Sequence, residues 1–418
     1  MSKVKLGDIA DIVTGPFGSM LHKKDYVSIG TPVIMPQDIG DRTLSLDEIA
    51  HIGPEDAARL ARYATVENDI VYARRGDVEK HAFIDANTAG ALCGTGCLRV
   101  RVDARMADPL FVSFYLNSPE SITWIRLHAV GSNMTNINTD ILSDLPHDKP
   151  DKGLQRRTGL LLKTIDDKIE NNRKLMAELE TTARLVYDEW FVRFDFPDVD
   201  GRPYRSSGGA MAWNDKLKHE IPAGWKARTF GSLVSCNERQ FAELPESILY
   251  LDTSGLTNNN LADYQVLNRR EEFPSRAKRP VKDNDILFST VRPDQCHFGM
   301  LKHVAPNVVV STGFAVITSR VGARFSSVLY LFLTQKAVLK YLQAIAISST
   351  SSYPSIDPSD ILNLEVAVPQ NMDEIGALAD YLDLLYEYRW TLQSQNHELQ
   401  YLRNFLLPML MNGQVRVE

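Results

Sequence analysis

Val66-Glu67-Asn68-Asp69-Ile70-Val71-Tyr72 occurs in this chain nearly twice. It returns as Val281-Lys282-Asp283-Asn284-Asp285-Ile286-Leu287-Phe288, with Asn68 and Asn284 standing 216 positions apart. Gly94-Thr95-Gly96 returns as Ser311-Thr312-Gly313, Asp140-Ile141-Leu142 as Asp360-Ile361-Leu362, and Ile165-Asp166 as Leu382-Asp383. The spacing stays between 216 and 220 in a chain of 418 residues. That is a tandem duplication of one module, since solenoid repeats recur every 20 to 50 residues or so. Two copies predict approximate internal two-fold symmetry.

Each copy has two parts. The first mixes short strands with turn signals. Residues 31–36 and Asp69 to Ala73 read as strands, and Cys97 to Val102 alternates as a half-buried strand does. Asp108-Pro109 opens an amphipathic helix, with Pro in its first turn; the counterpart runs from Ser326 to Leu342. The second part is one long helix. From Leu154 to Phe191 there is no Pro, and Ile165, Ile169, Asn172, Met176, Leu179, Ala183, Val186 and Trp190 step by four and three. This is a heptad seam with one polar Asn of the kind that fixes register. In the second copy Leu378, Leu382, Leu385, Leu392, Leu399 and Leu406 form the seam, with Asn396 in it. Some 35 helical residues span roughly 50 Å, and a lone apolar stripe of that length needs a partner. The two helices are therefore expected to pack on each other, antiparallel if the halves obey a two-fold. The expected fold class is α+β: two similar domains, joined by two long antiparallel coiled-coil-like helices, in a pseudo-two-fold internal repeat. The boundaries are 1–150 for the first domain, 151–195 for its helix, 196–222 for a flexible Gly/Ser-containing linker, 223–370 for the second domain, and 371–418 for the second helix and tail.

Composition is that of an ordinary globular protein, 44% hydrophobic and 24% charged. No apolar run approaches a membrane span and no signal peptide opens the chain, so a cytoplasmic protein is expected. Four cysteines make no disulfide framework. Cys93 and Cys97 lie four apart without a second ligand pair, so no metal site is expected. The net charge of −7 argues against nucleic acid when taken alone. Local basic clusters run the other way: His22-Lys23-Lys24, Arg74-Arg75, Arg99 with Arg101, Arg269-Arg270, and Arg276-Ala277-Lys278-Arg279. An acidic protein can bind DNA through one basic face.

Catalytic motifs are missing. An amino-methyltransferase needs an Asn/Asp-Pro-Pro-aromatic loop for a flipped base, and Asp108-Pro109-Leu110-Phe111 lacks the second proline. A nuclease-like pattern can be drawn from Pro150-Asp151 and Asp166-Asp167-Lys168, but it falls inside the heptad helix beside Ile165. Phosphate-binding, zinc-protease and nucleophile-elbow motifs do not occur.

With these pieces in order, the chain resembles the specificity subunits of type I restriction-modification systems over its full length. The resemblance is carried by Leu6-Gly7-Asp8-Ile9, Gly15-Pro16-Phe17-Gly18-Ser19, Asn68 to Val71 followed by Arg74-Arg75-Gly76, Trp190 to Phe194, Pro222-Ala223-Gly224-Trp225, and the Leu406 to Gly413 tail. It implies two target-recognition domains, each reading one half of a split duplex DNA sequence. The paired helices would set the unread spacer and dock two methyltransferase subunits, which in turn bring restriction subunits. It also implies no catalysis and no cofactor here. S-adenosylmethionine would sit in the methyltransferase partner, ATP and Mg in the restriction partner, and no membrane is involved. A helix of roughly 50 Å is about one and a half turns of B-DNA at about 34–36 Å each. The alternatives are a DNA-binding or interaction scaffold of a related defence system without a nuclease partner, and, more remotely, a free-standing modification enzyme.

Candidate DNA contacts are Arg74, Arg75 and Lys80 after the first repeated strand, and Ser132, Asn133, Thr135 and Asn136 in a polar run. Their second-copy counterparts are Arg292 and Gln295, and Ser349, Ser351 and Tyr353. Thr290-Val291-Arg292-Pro293 replaces the Arg-Arg-Gly stretch with one extra residue. Either polar run could instead be a cap or turn. For partner docking, Trp190, Phe191, Phe194, Phe405, Leu406, Met409 and Met411 are too apolar to stay in water, unless they bury against their own domains.

Overall fold

In the computed structural model, residues 2–17, 20–131, 135–241, 243, 245–349 and 353–417 are described. The chain divides into two compact units, residues 1–168 with 398–418, and residues 169–397. Both mix helices with β-sheets, so the fold class is α+β.

In the first unit the repeated motif is a turn feeding a buried strand. Asn68 adopts the left-handed backbone, φ 72°, which asparagine tolerates better than most residues. Asp69 accepts a hydrogen bond from the Val66 amide at 2.8 Å. Ile70–Ala73 then runs fully buried between Cys97–Val102 and His81–Phe83, both antiparallel to it. Ala10–Thr14 and Asp41–Arg42 complete this five-stranded sheet. A four-stranded sheet contains Thr31–Ile34 paired parallel with Leu92–Cys93. Ser2–Lys5 pairs with Pro146–Lys149, closing the ends of the module on each other.

Several local readings change. Cys97–Val102 is covered on both faces, not half-buried: Leu98, Val100 and Val102 enter one core cluster and Cys97 another. Its two arginines are spent internally. Arg101 grips Asp69 with two bonds of 2.8 and 2.7 Å, and Arg99 donates to the Arg62 carbonyl and to Asp11. They leave the list of basic surface clusters. The helix Pro109–Leu116 starts as expected, with the Asp108 carboxylate accepting from the Phe111 amide at 2.9 Å, but Phe111 to Leu116 are all buried and it has no polar face. Cys93 and Cys97 are also buried, which pushes the Cys93 thiol up to about 12 and raises Cys97 well above its ordinary value. A metal would need thiolates, and no metal-binding group occurs among the described residues. Gly15 is required: a Cβ there would come within 2.1 Å of the Gly94 carbonyl, and Thr95 Oγ1 donates to the Pro16 carbonyl beside it.

His81 is buried in this unit, stacked on Tyr72 at 5.4 Å and bonded through Nε2 to the Ser113 carbonyl at 2.9 Å. Burial, helped by the nearby Arg42 charge, pulls its pKa down to about 3. The unfolded chain, with an ordinary imidazole, therefore binds the proton first. The stability from neutral His81 is full above about pH 6.5 and is lost as pH falls toward 3, at up to about 1.4 kcal/mol per pH unit. The expected result is a urea midpoint that drops between pH 7.5 and 5, with a visibly flatter drop in His81→Gln.

The first long helix runs Lys152–Phe191, and Asp151 caps it by accepting from the Leu154 amide. The second runs Gly376–Met411. Within the first unit, Leu162 shares a core with Leu407, Leu410 and Met411. Ile165 is buried, and Asp166 is held between the guanidinium groups of Arg42 and Arg403. Asp167 pairs with Lys163. The nuclease-like pattern is thus dispersed into a cap and structural ion pairs.

In the second unit Ile286–Ser289 is the buried strand, entered through Asn284 at φ 66° and Asp285, which accepts from the Lys282 amide at 2.8 Å. It lies between Phe314–Ser319 and Phe298–Met300, both antiparallel. Ile248–Leu251 pairs parallel with Val308–Ser311, and Trp225–Thr229 pairs with Glu365–Pro369. The expected Ser326–Leu342 helix is two helices, Ser326–Leu333 and Lys336–Ser348. The break falls at Thr334, whose hydroxyl turns back to the Tyr330 carbonyl. The 196–222 stretch is built, not loose. Met211–Asn214 and His219–Pro222 form a hairpin, and Phe196 stacks on Tyr204 and Trp225 at 4.8 and 5.3 Å. Asp195 accepts from both the amide and hydroxyl of Ser206, pinning the Ser/Gly run that composition alone marks as flexible.

The long helices run antiparallel inside this unit. Asn172 meets Asn396, and Glu180, further along, lies 3.9 Å from Arg389. Ile169, Asn172, Met176 and Ala183 are buried and Leu179 is half-buried. On the second helix Leu382, Leu392 and Asn396 are buried, but Leu385 and Leu399 are only half covered. Tyr386, Arg389 and Gln393 take the remaining inner positions. The two that carry N–H donors serve backbone acceptors, Arg389 bonding the Asn259 carbonyl at 2.6 Å and Gln393 the Leu261 carbonyl at 2.9 Å. A leucine count cannot see such polar insertions. Asn172 Nδ2 donates to Asn396 Oδ1 at 2.9 Å. Asn172→Ala, which strands a buried amide, is expected to cost about 1–3 kcal/mol. The double variant to leucine is expected to be neutral or stabilising but to relax the helix register. Chemical denaturation of the three variants, with cross-linking to read register, checks this.

Candidate nucleic-acid interface

The strand Ile70–Ala73 ends in a turn that spans residues 74–80 and closes with the Ala73 amide on the Lys80 carbonyl at 2.9 Å. A second segment is sewn along it. The Ile137 amide donates to the Arg74 carbonyl (3.0 Å) and the Arg74 side-chain Nε donates back to the Ile137 carbonyl (3.3 Å), Arg75 bridges Asn136, and the Gly76 amide donates to the Thr135 carbonyl at 3.1 Å. Asn136 is also paired with Val130, pinning the base of the polar run. Arg74, Arg75, Lys80, Thr135 and Asn136 are therefore brought to one edge. Ser132 and Asn133 lie outside the described residues.

These side chains are not equivalent. Arg74 is half-buried and helps to hold the loop. Arg75 is exposed and has no ion pair among the described residues. Lys80 is paired with Asp77 at 2.8 Å, and Glu79 with Arg126. Asn136 Oδ1 is buried without a hydrogen-bond partner. Arg75 is thus the basic group most free to meet a phosphate or base edge.

The second unit repeats this stitching. The Ile356 amide donates to the Thr290 carbonyl, Val291 bridges Ser355, and the Arg292 amide donates to the Pro354 carbonyl, each amide bond being 2.9 Å. The Thr290 amide bonds the Gly313 carbonyl as the Arg74 amide bonds that of Gly96. By these bonds Thr290, Val291 and Arg292 stand where Arg74, Arg75 and Gly76 stand, with no extra residue. That corrects the pairing of Arg292 with the double arginine. The 216-residue spacing from Gly76 to Arg292 already contained the answer.

Arg292 consequently occupies a glycine position. Its backbone is left-handed, φ 48°, as is that of Cys296, φ 56°, and the two bracket a tight turn over Pro293–Gln295. A non-glycine residue there costs about 1–2 kcal/mol, and such strain collects at functional sites. Arg292, Gln295 and Tyr353 are exposed, and Ser349 caps the end of Lys336–Ser348. Ser351 lies outside the described residues. Gln343, absent from the candidates, accepts from the Asp294 amide at 3.2 Å and braces the turn; nothing in its local sequence marks it.

The apolar candidates divide by burial. Phe191 and Phe194 sit in the second unit's core against Trp225, with Trp190 half-buried beside them. Met411 is buried in the first unit's core, and Leu406 and Met409 are half-covered. Phe405 stands out, 56% exposed and stacked at 6.4 Å on Tyr401, itself 75% exposed.

No protein-family model matches the chain. It is similar to the specificity subunit of the type I restriction enzyme HindI from Haemophilus influenzae, at 22% identity over 429 aligned residues, covering 88% of this chain and 90% of the relative. The specificity subunit of the type I restriction enzyme MjaIX from Methanocaldococcus jannaschii is 24% identical over 288 residues, 66% of this chain and 61% of the relative. Among solved structures, the S subunit of a type I restriction-modification system from M. genitalium has a TM-score of 0.59 at 15% identity, covering 98% of this chain and 96% of that one. At that identity the last likeness speaks for the fold. No helix among the described residues is long and apolar enough to cross a membrane.

Proposed function

We propose that this chain is the specificity subunit of a type I restriction-modification complex, a non-catalytic reader of duplex DNA. Two copies of one recognition module each read one half of a split target. The observation that carries this is the stitched loop that recurs in both units, with Arg75 exposed on one and Arg292 on the other. The similarity to one named specificity subunit over 88% of this chain points the same way. The modules carry different residues at the loop edge, Arg75 with Gly76 against Val291 with Arg292, so the two half-sites differ in sequence.

The long helices set the unread spacer and dock the methyltransferase subunits, with the exposed Tyr401 and Phe405 pair as the leading contact. S-adenosylmethionine belongs to those subunits, and ATP and Mg to the restriction subunits that join through them.

Selection from a random duplex pool by the chain bound to its methyltransferase partner tests the reading. Two fixed sequence blocks separated by a constant unread gap are expected. Affinity is expected to fall with salt at a log-log slope of about −0.9 per neutralised phosphate. Enrichment of a single block would contradict the two-module reading, and enrichment of none would move the weight to a scaffold that does not read DNA.

A further inference from the structure

We infer that the second unit holds a separate ligand site, a recessed cation-lined cavity that binds a phosphate group. It lies at the opposite end of the central strand from Arg292. Ser289, next to the Arg292 turn, pairs with Phe314, whereas Ile286 pairs with Ile317 at the other end. One residue beyond Ile317, Thr318 lines a cavity of about 230 Å³ together with Asn237, Glu238, Arg239, Arg279 and Lys282.

The charge facing this cavity is unbalanced. Arg279 makes no ion pair and no side-chain hydrogen bond among the described residues, and its Nη1 is buried without a partner. Burial pushes its pKa below the ordinary guanidinium value, a cost that a bound anion would remove. Arg239 donates to Thr318 Oγ1 at 2.8 Å and pairs with the buried Asp285, but its Nε is also buried and unpartnered. Lys282 is exposed at the rim. The acids offer no compensation: Glu238 is held by Arg320, while Asp285 is occupied by Arg239, the Thr318 hydroxyl and the Lys282 amide. The first unit differs, although Arg99 Nε is buried without a partner there too. There Asp69, the counterpart of Asp285, takes both bonds of Arg101, and Arg99 is spent on Asp11 and carbonyls.

Guanidinium forks match phosphate oxygens geometrically. The volume lies below the range of about 300–1,000 Å³ typical of drug-sized ligands, which suits one phosphate group. An adjoining hollow shares Lys282 and Thr318 and contains Asn284 and Ser326, whose Oδ1 and Oγ are buried without partners. It would seat the remainder of a phosphate ester.

Calorimetric titration of inorganic phosphate into the full chain in chloride buffer is the test. Saturable binding is expected, weakened at least tenfold in Arg279→Gln and a few-fold in Lys282→Gln. The Arg279 side chain makes no hydrogen bond or ion pair among the described residues, so Arg279→Gln is expected to keep the wild-type melting midpoint; if it does not fold, Lys282→Gln alone decides. Repeating the titration with saturating duplex DNA separates the sources of the phosphate. Unchanged affinity means a free phosphorylated ligand, and competition means a backbone phosphate of the DNA. Absence of saturable binding in the wild type, or equal binding by Arg279→Gln (by Lys282→Gln if that variant alone folds), overturns the inference. Arg292→Gly leaves this site intact, so loss of DNA reading and loss of the phosphate site register separately.

Discussion

Arg292→Gly is expected to stabilise the second unit by about 1 kcal/mol while weakening DNA binding by about tenfold or more. The two effects have separate physical origins. At φ 48° the arginine holds a backbone conformation that glycine adopts without penalty, and the equivalent position in the first unit is Gly76, at φ 76° with open space around it. The amide bond to the Pro354 carbonyl survives the change, since it belongs to the backbone. What disappears is an exposed guanidinium, and a side chain that reads a base edge with two bonds contributes about 1–3 kcal/mol of discrimination. Sequence preference should relax in one half-site only. Denaturation and binding measured on the same preparation decide the matter. A variant that is more stable and binds DNA as well as wild type would leave Arg292 without a role in recognition.

Asp285→Ala is expected to have the opposite signature, a loss of about 3–5 kcal/mol of stability. The carboxylate is buried and serves three donors at once: the Lys282 amide, the Thr318 hydroxyl and Arg239. Its removal leaves the turn without its cap and a part-buried guanidinium without its counter-charge. Asp69→Ala in the first unit should act in the same direction but less strongly, because Asp69 serves two partners, the Val66 amide and Arg101, where Asp285 serves three. Urea denaturation followed by fluorescence reads both. Unchanged midpoints with impaired DNA binding would mean that the repeated motif is a recognition element and not a turn-and-strand signal.

The same motif shows what can be read from the sequence of this protein. Asn-Asp followed by an apolar run encodes a turn and a buried strand locally, so the strands at Ile70 and Ile286 and the module spacing are legible directly. Cys97–Val102 is not, because the covering of its second face comes from segments distant in sequence, such as Ile34, Ile39 and Ile49 in the cluster around Cys97. The fate of Arg99 and Arg101 depends on Asp11 and Asp69, partners that no local pattern connects to them. Similarly, the second helix seam holds Arg389 and Gln393 because carbonyls of residues 259 and 261 await them. The candidate interface is legible at Arg75, in its exposed turn, and at Arg292 only once the 216-residue spacing is carried through residue by residue.

Single-molecule sequencing of N6-methyladenine should be made in cells expressing this chain together with the methyltransferase subunit proposed as its partner, against cells expressing that subunit alone. A split motif methylated only when this chain is present, with both half-sites and the gap read at once, is the predicted result. No new methylated motif, although both proteins are produced and associate, would contradict a role in directing modification.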